Sequence, residues 1–300
     1  MNPVVSVIMA VRDEERRVGL AIASVIRQTL SDSELIIVDD ASTDGTARAL
    51  QSFAAADPRI LVLSSSKNLG RAQARNWALQ EARADLIAIL DADDMMMPAR
   101  LERQVGFMAA NPLVGMLGAW AYYLFADVCQ MRYAQPPIDD TTIRRRLASR
   151  IMPFIHPTMM FRRELMLSSG GYAAGSSQGN EDLYTCIRLI AKTRAASMPE
   201  PLLIYSAHGL LQGARLFDKY REIIELENSC SDRSVGPSCC ISLLVRKLIV
   251  NHIPPSLYGT LMLERLQRWP KCAESEIRKI SDWINILNRV RIEIESGQAL

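Results

Sequence analysis

The sequence predicts an α/β protein, doubly wound around a mostly parallel sheet and followed by a C-terminal helical extension. Three observations predict it. Apolar runs bounded by charge recur through the first 110 residues, as strands buried on both faces of a parallel sheet do. Segments with apolar residues at helical spacing separate those runs, which is the alternation of a βαβ fold. Beyond about residue 216 the pattern becomes helical alone.

Residues 4–11 read as the first strand, and residues 14–28 carry Val18, Ala21, Ile22, Val25 and Ile26 at helical spacing. The second strand, residues 34–38, ends at Asp39-Asp40; the turn Ser42-Thr43-Asp44-Gly45 leads into a helix through Phe53. The third, residues 60–63, passes through a polar stretch to Gly70 and a helix bearing Ala74, Trp77, Ala78 and Ala82. The fourth is Leu86-Ile87-Ala88-Ile89-Leu90, followed by Asp91-Ala92-Asp93-Asp94 and a helix over residues 98–110. After Asn111-Pro112 the rhythm loosens: a strand is expected over residues 114–125 and short strands at 159–161 and 202–205, with Gly- and Ser-rich loops between. Trp77 and Trp120 read as core residues. Helices follow over residues 216–227, 241–251, 258–269 and 274–295, separated by Gly236-Pro237 and Pro254-Pro255.

Composition narrows the function. With 35 basic and 33 acidic side chains, the chain lacks the charge excess of a nucleic-acid binder. The clusters Arg144-Arg145-Arg146 with Arg150, and Arg162-Arg163, read as solvated helix faces. The six cysteines show no Cys-x-x-Cys spacing, so a zinc site and a disulfide framework are not expected, and a reducing cytosol is. The N-terminus runs into a strand without a leader pattern, and no apolar run reaches the ~18 residues of a membrane span. The expectation is a soluble chain, or one attached to a membrane surface.

Five apolar residues ending in three carboxylates form the most informative stretch. In open α/β sheets ligands bind at the C-terminal strand edge, and clustered carboxylates there suit Mg²⁺ or Mn²⁺ carrying a substrate phosphate. The alternative is an acidic turn in which Asp93 or Asp94 caps the following helix, with Pro98 near its start. A dinucleotide oxidoreductase would need Gly-x-Gly-x-x-Gly after the first strand; Met9-Ala10-Val11-Arg12-Asp13-Glu14 has none.

Several phrases, in order and spacing, carry a resemblance: Val7-Ile8-Met9-Ala10-Val11-Arg12-Asp13-Glu14, Ser24-Val25-Ile26-Arg27-Gln28-Thr29, Val38-Asp39-Asp40-Ala41-Ser42-Thr43-Asp44-Gly45-Thr46, Asn68-Leu69-Gly70 with Ala74-Arg75-Asn76, and Leu90-Asp91-Ala92-Asp93-Asp94. They continue through His156-Pro157-Thr158, Gly170-Gly171-Tyr172 and Asn180-Glu181-Asp182 with Ile187-Arg188-Leu189. The chain resembles the family 2 glycosyltransferases of the GT-A fold over about its first 210 residues. That resemblance implies an inverting transferase (EC 2.4) that uses Mn²⁺ or Mg²⁺ to move a sugar from a nucleoside diphosphate to a hydroxyl of a saccharide or lipid-linked acceptor. By analogy it serves bacterial surface polysaccharide or lipopolysaccharide synthesis.

The resemblance assigns Asp40 to the nucleobase and Asp91 to the ribose, with Ala10, Arg12 and Gly70 around the nucleotide. Arg75 would reach the base or a phosphate, or be a surface helix residue. Asp93 would hold the metal, Asp94 a second ligand. Asp182 would be the general base, with Glu181 the less favoured choice; the alternative is that the pair only caps the apolar helix that follows. His208 lies where some relatives place a metal or diphosphate contact, and is otherwise a structural histidine. His156 would position a loop near the acceptor. Two departures bear on specificity: Arg12-Asp13 stand where many members carry Tyr-Asn, and Leu183-Tyr184-Thr185-Cys186 replace an aromatic-Asp-Leu-Trp run.

The implied organisation is a catalytic domain over residues 1–215, with a nucleotide-sugar half to about 112 and an acceptor half after it, and a helical extension over 216–300. Residues 241–250 pair an apolar face with Arg246-Lys247. Such a face packs on the core or a second subunit, or docks on anionic lipid. The expected location is the cytoplasm, free or peripheral on the cytoplasmic face of the inner membrane. The competing reading is a catalytically silent scaffold that keeps the fold and binds partners.

Overall fold

The structure is a computed structural model that describes residues 2–125, 130–173, 180–207 and 270–297. Its first half is the expected alternation: β1 (Val5–Val11), α1 (Val18–Ile26), β2 (Ser33–Asp40), α2 (Thr46–Ala56), β3 (Ile60–Ser65), α3 (Arg71–Glu81), β4 (Leu86–Ile89). Next come β5 (Met95–Met96), α4 (Arg100–Ala110), β6 (Val114–Phe125), β7 (Gln130–Ala134) and α5 (Asp140–Ala148). A 3-10 turn (His156–Thr158), β8 (Met160–Arg162), α6 (Arg163–Ser168), α7 (Glu181–Ile190), β9 (Arg194–Ser206) and α8 (Glu274–Glu295) complete the described elements.

The strands form one sheet in the order β3-β2-β1-β4-β8-β6-β9-β5, with β7 on β6. The first four are mutually parallel; β8 enters antiparallel to both β4 and β6, and β9 returns parallel to β6. Strand alternation divides the core in two. Val5, Val7, Met9, Leu35, Ile37, Ala88 and Leu90 join one cluster, and Ile8, Ile36, Val38, Ile87 and Ile89 the other. Both faces of β1, β2 and β4 are therefore dry, whereas the edge strand β3 leaves Leu61 42% exposed. Residues 90–94 connect β4 to β5, four strand positions apart in the sheet, or ~19 Å if the sheet were flat. A link that short, containing the turn in which Asp94 N–H bonds the Asp91 carbonyl, requires the sheet to curl.

Several boundaries differ from the sequence reading for definable reasons. α1 begins at Val18 rather than residue 14, because the Glu14 and Glu15 N–H groups donate to Thr46 Oγ1 and Asp44 Oδ2 across the loop after β2. α4 begins at Arg100 after Ala99, and the strand β5 separates it from the acidic turn. Neither Asp93 nor Asp94 caps it. β9 is longer than the expected 202–205 because its N-terminal part pairs with β6 through several register shifts, which erase a simple alternation. α5 carries the cluster Arg144-Arg145-Arg146 that was read as a helix face, although no helix range was assigned there; its sequence signal is the N-cap Asp139, which accepts from Thr142 N–H at 2.8 Å, with Arg145 and Arg146 in the last turn. Trp77 and Trp120 are half-buried rather than fully enclosed, and the Trp120 indole donates to the Pro136 carbonyl.

Of the C-terminal helices, α8 matches the expected range. It buries Ile280, Trp283, Leu287, Val290 and Ile294, a stripe at heptad spacing, against α1 and α2. Trp283 Nε1 donates to the Met96 carbonyl at 2.9 Å, so the helix braces the short strand that follows the acidic turn. Its lead-in is tied to β7, where Tyr133 N–H donates to the Pro270 carbonyl. The helices expected over 216–227, 241–251 and 258–269, and the basic amphipathic segment 241–250, lie outside the described residues. No helix among the described residues is long and apolar enough to cross a membrane.

Trp283→Ala removes the largest side chain of the α8 seam and should cost about 3–5 kcal/mol in urea unfolding. Trp283→Phe, which keeps most of the area and loses the hydrogen bond, should cost about 1–2 kcal/mol. Equal stability of all three proteins would show that α8 does not pack as described.

Candidate functional site

The C-terminal ends of β1, β2 and β4 lie side by side, so their loops share one rim. Two of those loops are laced together. Asp13 Oδ1 accepts from Thr43 N–H at 2.7 Å, Asp13 N–H donates to Ser42 Oγ at 3.1 Å, and Asp44 accepts from the Glu15 and Thr46 N–H groups. Asp13 and Ala41 take left-handed backbone conformations, φ 53° and 59°, at the bends where the chain leaves the strands. For Ala41 that conformation costs roughly 1–2 kcal/mol, sustained by the surrounding hydrogen bonds. β3's return is pinned in the same way: Asp40, at the end of β2, accepts from the Leu69 and Gly70 N–H groups with its two oxygens. Gly70, at φ 84°, makes the bend into α3 that a side chain would strain.

These loops enclose a cleft of ≈ 260 Å³. Of the residues the sequence placed at a nucleotide sugar, Ala10, Arg12, Asp40, Arg75 and Asp91 line it, and Gly70 lies behind Asp40. Asp93 lines it too. Glu14, Arg71 and Tyr205 also face the cleft, and the sequence reading gave them no such role. Arg71 opens α3 directly after Gly70, which is the signal that could have found it. Tyr205 reaches the cleft only because β9 runs beside β5, a long-range pairing that local pattern does not reveal. Its ring stacks on Tyr123 at 4.6 Å between centroids.

The acidic turn is crowded with like charge. Burial, then the charges of Asp91 and Glu14, push Asp93 up to about 6, against a smaller opposing pull from Arg17. Asp94 is 1% exposed and does not line the cleft; its Oδ1 accepts from Ser206 N–H at 2.8 Å, and its Oδ2 has no hydrogen-bond partner among the described residues. Burial above all, then Asp93 and Asp91, push its carboxyl well above the usual range. Behind the turn the fully buried Arg100 donates to the Ile89 carbonyl at 2.8 Å and to Gln104 Oε1 at 3.0 Å, holding the end of β4. Among the described residues, no three His, Cys, Asp or Glu side chains converge closely enough to enclose an ion unaided.

A second cluster adjoins the first through α3. Arg75, 3% exposed, donates to Asp91 Oδ1 at 2.7 Å and to Glu181 Oε1 at 3.0 Å. It is not the surface residue that one sequence alternative held. Burial pushes Asp91 and Glu181 upward, but Arg75 at the one, and Arg71 with Arg75 at the other, hold both below the usual carboxylate range. The guanidinium also sits 5.5 Å from the centre of the Tyr172 ring. The Tyr172 hydroxyl is 3.0 Å from His156 Nε2. Burial, reinforced by Arg75, depresses that imidazole to about 4, so it is neutral at neutral pH. The glycines before Tyr172 are needed here: at Gly171, φ 70°, a Cβ would overlap Asn76 Oδ1. Asp182, half-buried in the first turn of α7, accepts from Leu183 N–H and makes no ion pair among the described residues. His208 lies outside the described residues.

Asp93 supplies a test of this electrostatic picture. Its carboxyl binds its proton more tightly in the folded chain than in the unfolded one, so its ionisation destabilises the fold above pH ~6 and has no such cost below pH ~4. Asp93→Asn should therefore stabilise the metal-free protein by about 1–3 kcal/mol at pH 7.5, and the gain should vanish as pH falls towards 4. Thermal melts across that range check it; a variant less stable at every pH contradicts it.

Comparison with known proteins agrees with this architecture. Residues 6–168 match the family model described as Glycosyl transferase family 2. An uncharacterized glycosyltransferase of Methanocaldococcus jannaschii is 31% identical over 167 residues, 55% of this chain and 58% of that protein. The O-antigen biosynthesis glycosyltransferase WbnJ of Escherichia coli is 29% identical over 216 residues, 68% of this chain and 80% of that protein. The chain spans 48–60% of the length of three relatives that it matches at 31–36% identity. Among solved structures, the mannosyltransferase PcManGT of Pyrobaculum calidifontis, in complex with GDP-Man and Mn²⁺, superposes with a TM-score of 0.61 at 19% identity, covering 98% of this chain and 87% of that one. The likeness confirms the GT-A-type sheet, and the family model spans more than half of the sequence: the chain belongs to glycosyl transferase family 2.

Proposed function

We propose that this protein is a metal-dependent, inverting glycosyltransferase that moves a sugar from a nucleoside-diphosphate sugar to an acceptor hydroxyl in bacterial surface polysaccharide synthesis. The observation that carries the reading is the cleft at the ends of β1, β2 and β4, lined by Asp40, Asp91 and Asp93, with Asp182 beyond Arg75. Family membership supports the reaction class, the polysaccharide role of WbnJ supports the setting, and the GDP-Man and Mn²⁺ bound by the Pyrobaculum enzyme support the type of donor and ion. In this reading residues 1–112 form the donor half, 113–215 the acceptor half and 216–300 the extension. The long strand β6, which pairs with β7, β8 and β9, begins at Val114 and supports the first boundary.

The donor set fits a divalent cation. Asp93 is a carboxylate whose charge is resisted by its neighbours, and Asp94 Oδ2 is a buried oxygen lacking a partner among the described residues; a cation relieves both. Mg²⁺ and Mn²⁺ in such sites take one or two carboxylates and complete their shell with substrate phosphates and water, so a cage of three protein ligands is not required. Asp93 would be the first ligand, Asp94 the second, and His208 a further one. Held there, the ion supplies Lewis-acid stabilisation of charge on the departing nucleoside diphosphate.

The chain's own groups do the rest. Arg12 and Asp40 border the space for the nucleoside, and Asp91, whose Oδ1 already bonds Arg75, offers its remaining oxygen to a ribose hydroxyl. Asp182 is the general base. Glu181 is poorly suited to that task, because two arginines hold its carboxylate ionised and occupied. Among the described residues Asp182 has no such partner, and it can take the acceptor's proton as its oxygen attacks. One base and no covalent intermediate give inversion at the anomeric carbon. A lipid-linked acceptor would bring the chain to the cytoplasmic face of the membrane, with contact through segment 241–250.

The reading is tested by incubating the full chain with UDP-, dTDP-, GDP- and CDP-sugars, with and without Mn²⁺. One donor should be turned over only with metal. Asp93→Ala should abolish that turnover and metal-dependent nucleotide binding, and Asp182→Asn should lower turnover at least ~100-fold with donor affinity nearly kept. A product that retains the donor's anomeric configuration, or a fully active Asp182→Asn variant, would overturn the mechanism. Failure of every donor would leave the scaffold reading standing in its place.

A further inference from the structure

α3 welds the two halves of the site together through adjacent side chains. Arg75 bridges Asp91, at the end of β4, to Glu181, the first residue of α7. Asn76 clamps the backbone of Tyr172, accepting from its N–H at 2.6 Å and donating to its carbonyl at 3.0 Å. Tyr172 packs its ring beside the Arg75 guanidinium and reaches His156 with its hydroxyl. α7 is held from its other end as well, since Arg188 donates to the Gly171 carbonyl. The Arg75–Glu181 pair fixes the first turn of α7 relative to the strand-end Asp91, and Asp182 is the second residue of that turn.

We propose that Arg75 is a positioning residue for transfer: it acts through Glu181, setting the orientation of Asp182 and tying it to Asp91 on the donor side. The inference rests on the function proposed above and deepens it. Both terminal nitrogens of the guanidinium already hold carboxylates, and the residue, although it lines the cleft, is only 3% exposed. The planar fork matters as much as the charge. A lysine in its place presents one ammonium point charge, which can neutralise nearby anions but cannot hold two carboxylates in a fixed relative geometry. Misplacement of a reacting group by about 1 Å costs on the order of 100-fold in rate.

Arg75→Lys and Glu181→Gln, made singly and together in the full chain, separate positioning from donor contact. Steady-state kinetics should show kcat lowered about 30–100-fold in each single variant, with the donor KM and the calorimetric affinity for the Mn²⁺-bound nucleoside diphosphate within about 3-fold of wild type. The double variant should fall little further than either single one, because both break one linkage. Hydrogen exchange should quicken in the first turn of α7 while β1 and β4 stay protected. Should Arg75→Lys fold poorly, Glu181→Gln carries the same test with the buried arginine retained. A raised donor KM with kcat preserved in Arg75→Lys would mean that Arg75 serves the donor directly, and multiplicative losses in the double variant would mean that the two residues act separately; either overturns the proposal. A wild-type chain that transfers no sugar is a different failure, that of the function itself.

Discussion

The constraint on which the site depends is the crowding of carboxylates at the dry end of β4. Strand β4 is buried on both faces, and the chain leaves it through Asp91, Asp93 and Asp94 within four residues. In water such a cluster would be unremarkable. At a strand end packed between two apolar clusters, each charge raises the cost of the next. The fold answers the three acids differently: Asp91 receives the Arg75 guanidinium, Asp94 receives a backbone N–H from β9 with Arg100 close behind, and Asp93 is left facing the cleft with its pKa raised to about 6. What remains unanswered is one anionic ligand set at the place where a phosphate-bearing substrate would enter. That residual charge is the physical basis of the proposed cation site.

The same constraint explains the effort spent on the surrounding frame. The turn that carries the acids must join β4 to β5 across a curled sheet, and both ends of it are fixed. Arg100 ties the β4 end to the 3-10 turn, where Gln104 Nε2 donates to the Thr158 carbonyl at 2.8 Å. Met96, at the other end, donates its N–H to Ser24 Oγ and accepts from the Trp283 indole on its carbonyl. α8 thus belongs to the support of the cleft, although it lies a hundred residues past the segment matched by the family model. A destabilising cluster of charge is maintained by packing distant in sequence, as functional sites commonly are.

Much of this was legible in the sequence, because the strands of the first half are local statements. Leu86 to Leu90 could be read as a doubly buried strand from five apolar residues and a charged end, and the order along the chain already placed Asp40 and Asp91 at strand ends and Gly70 and Arg75 at the start of the helix after the third strand. α8 was legible for the same reason, its stripe of Ile280, Trp283, Leu287, Val290 and Ile294 being periodic. What sequence could not supply were partners set by long-range pairing. Arg75 could be read as a ligand contact or a surface residue; it is not on the surface but lines the cleft, enclosed between Asp91 and Glu181, 16 and 106 positions away. Tyr205 reaches the cleft through the β5–β9 pairing, and the N-terminal part of β9, before the expected 202–205, is hidden by register shifts. Asp94 looked like a helix cap because its position before Pro98 fits that role locally; the β5 pairing with β9 claims the intervening residues first.

The central claim, that Asp93 and its neighbours form an anionic set completed by a cation and a nucleoside diphosphate, is tested most directly by calorimetry. Binding of a nucleoside diphosphate with Mn²⁺ would be measured near pH 6 and at pH 8 in buffers of different ionisation enthalpy. The account predicts binding that requires the metal, with a fraction of a proton released near pH 6, where Asp93 is partly protonated, and almost none at pH 8. Nucleotide binding that is independent of metal, or metal-dependent binding with the same proton release at both pH values, would contradict it.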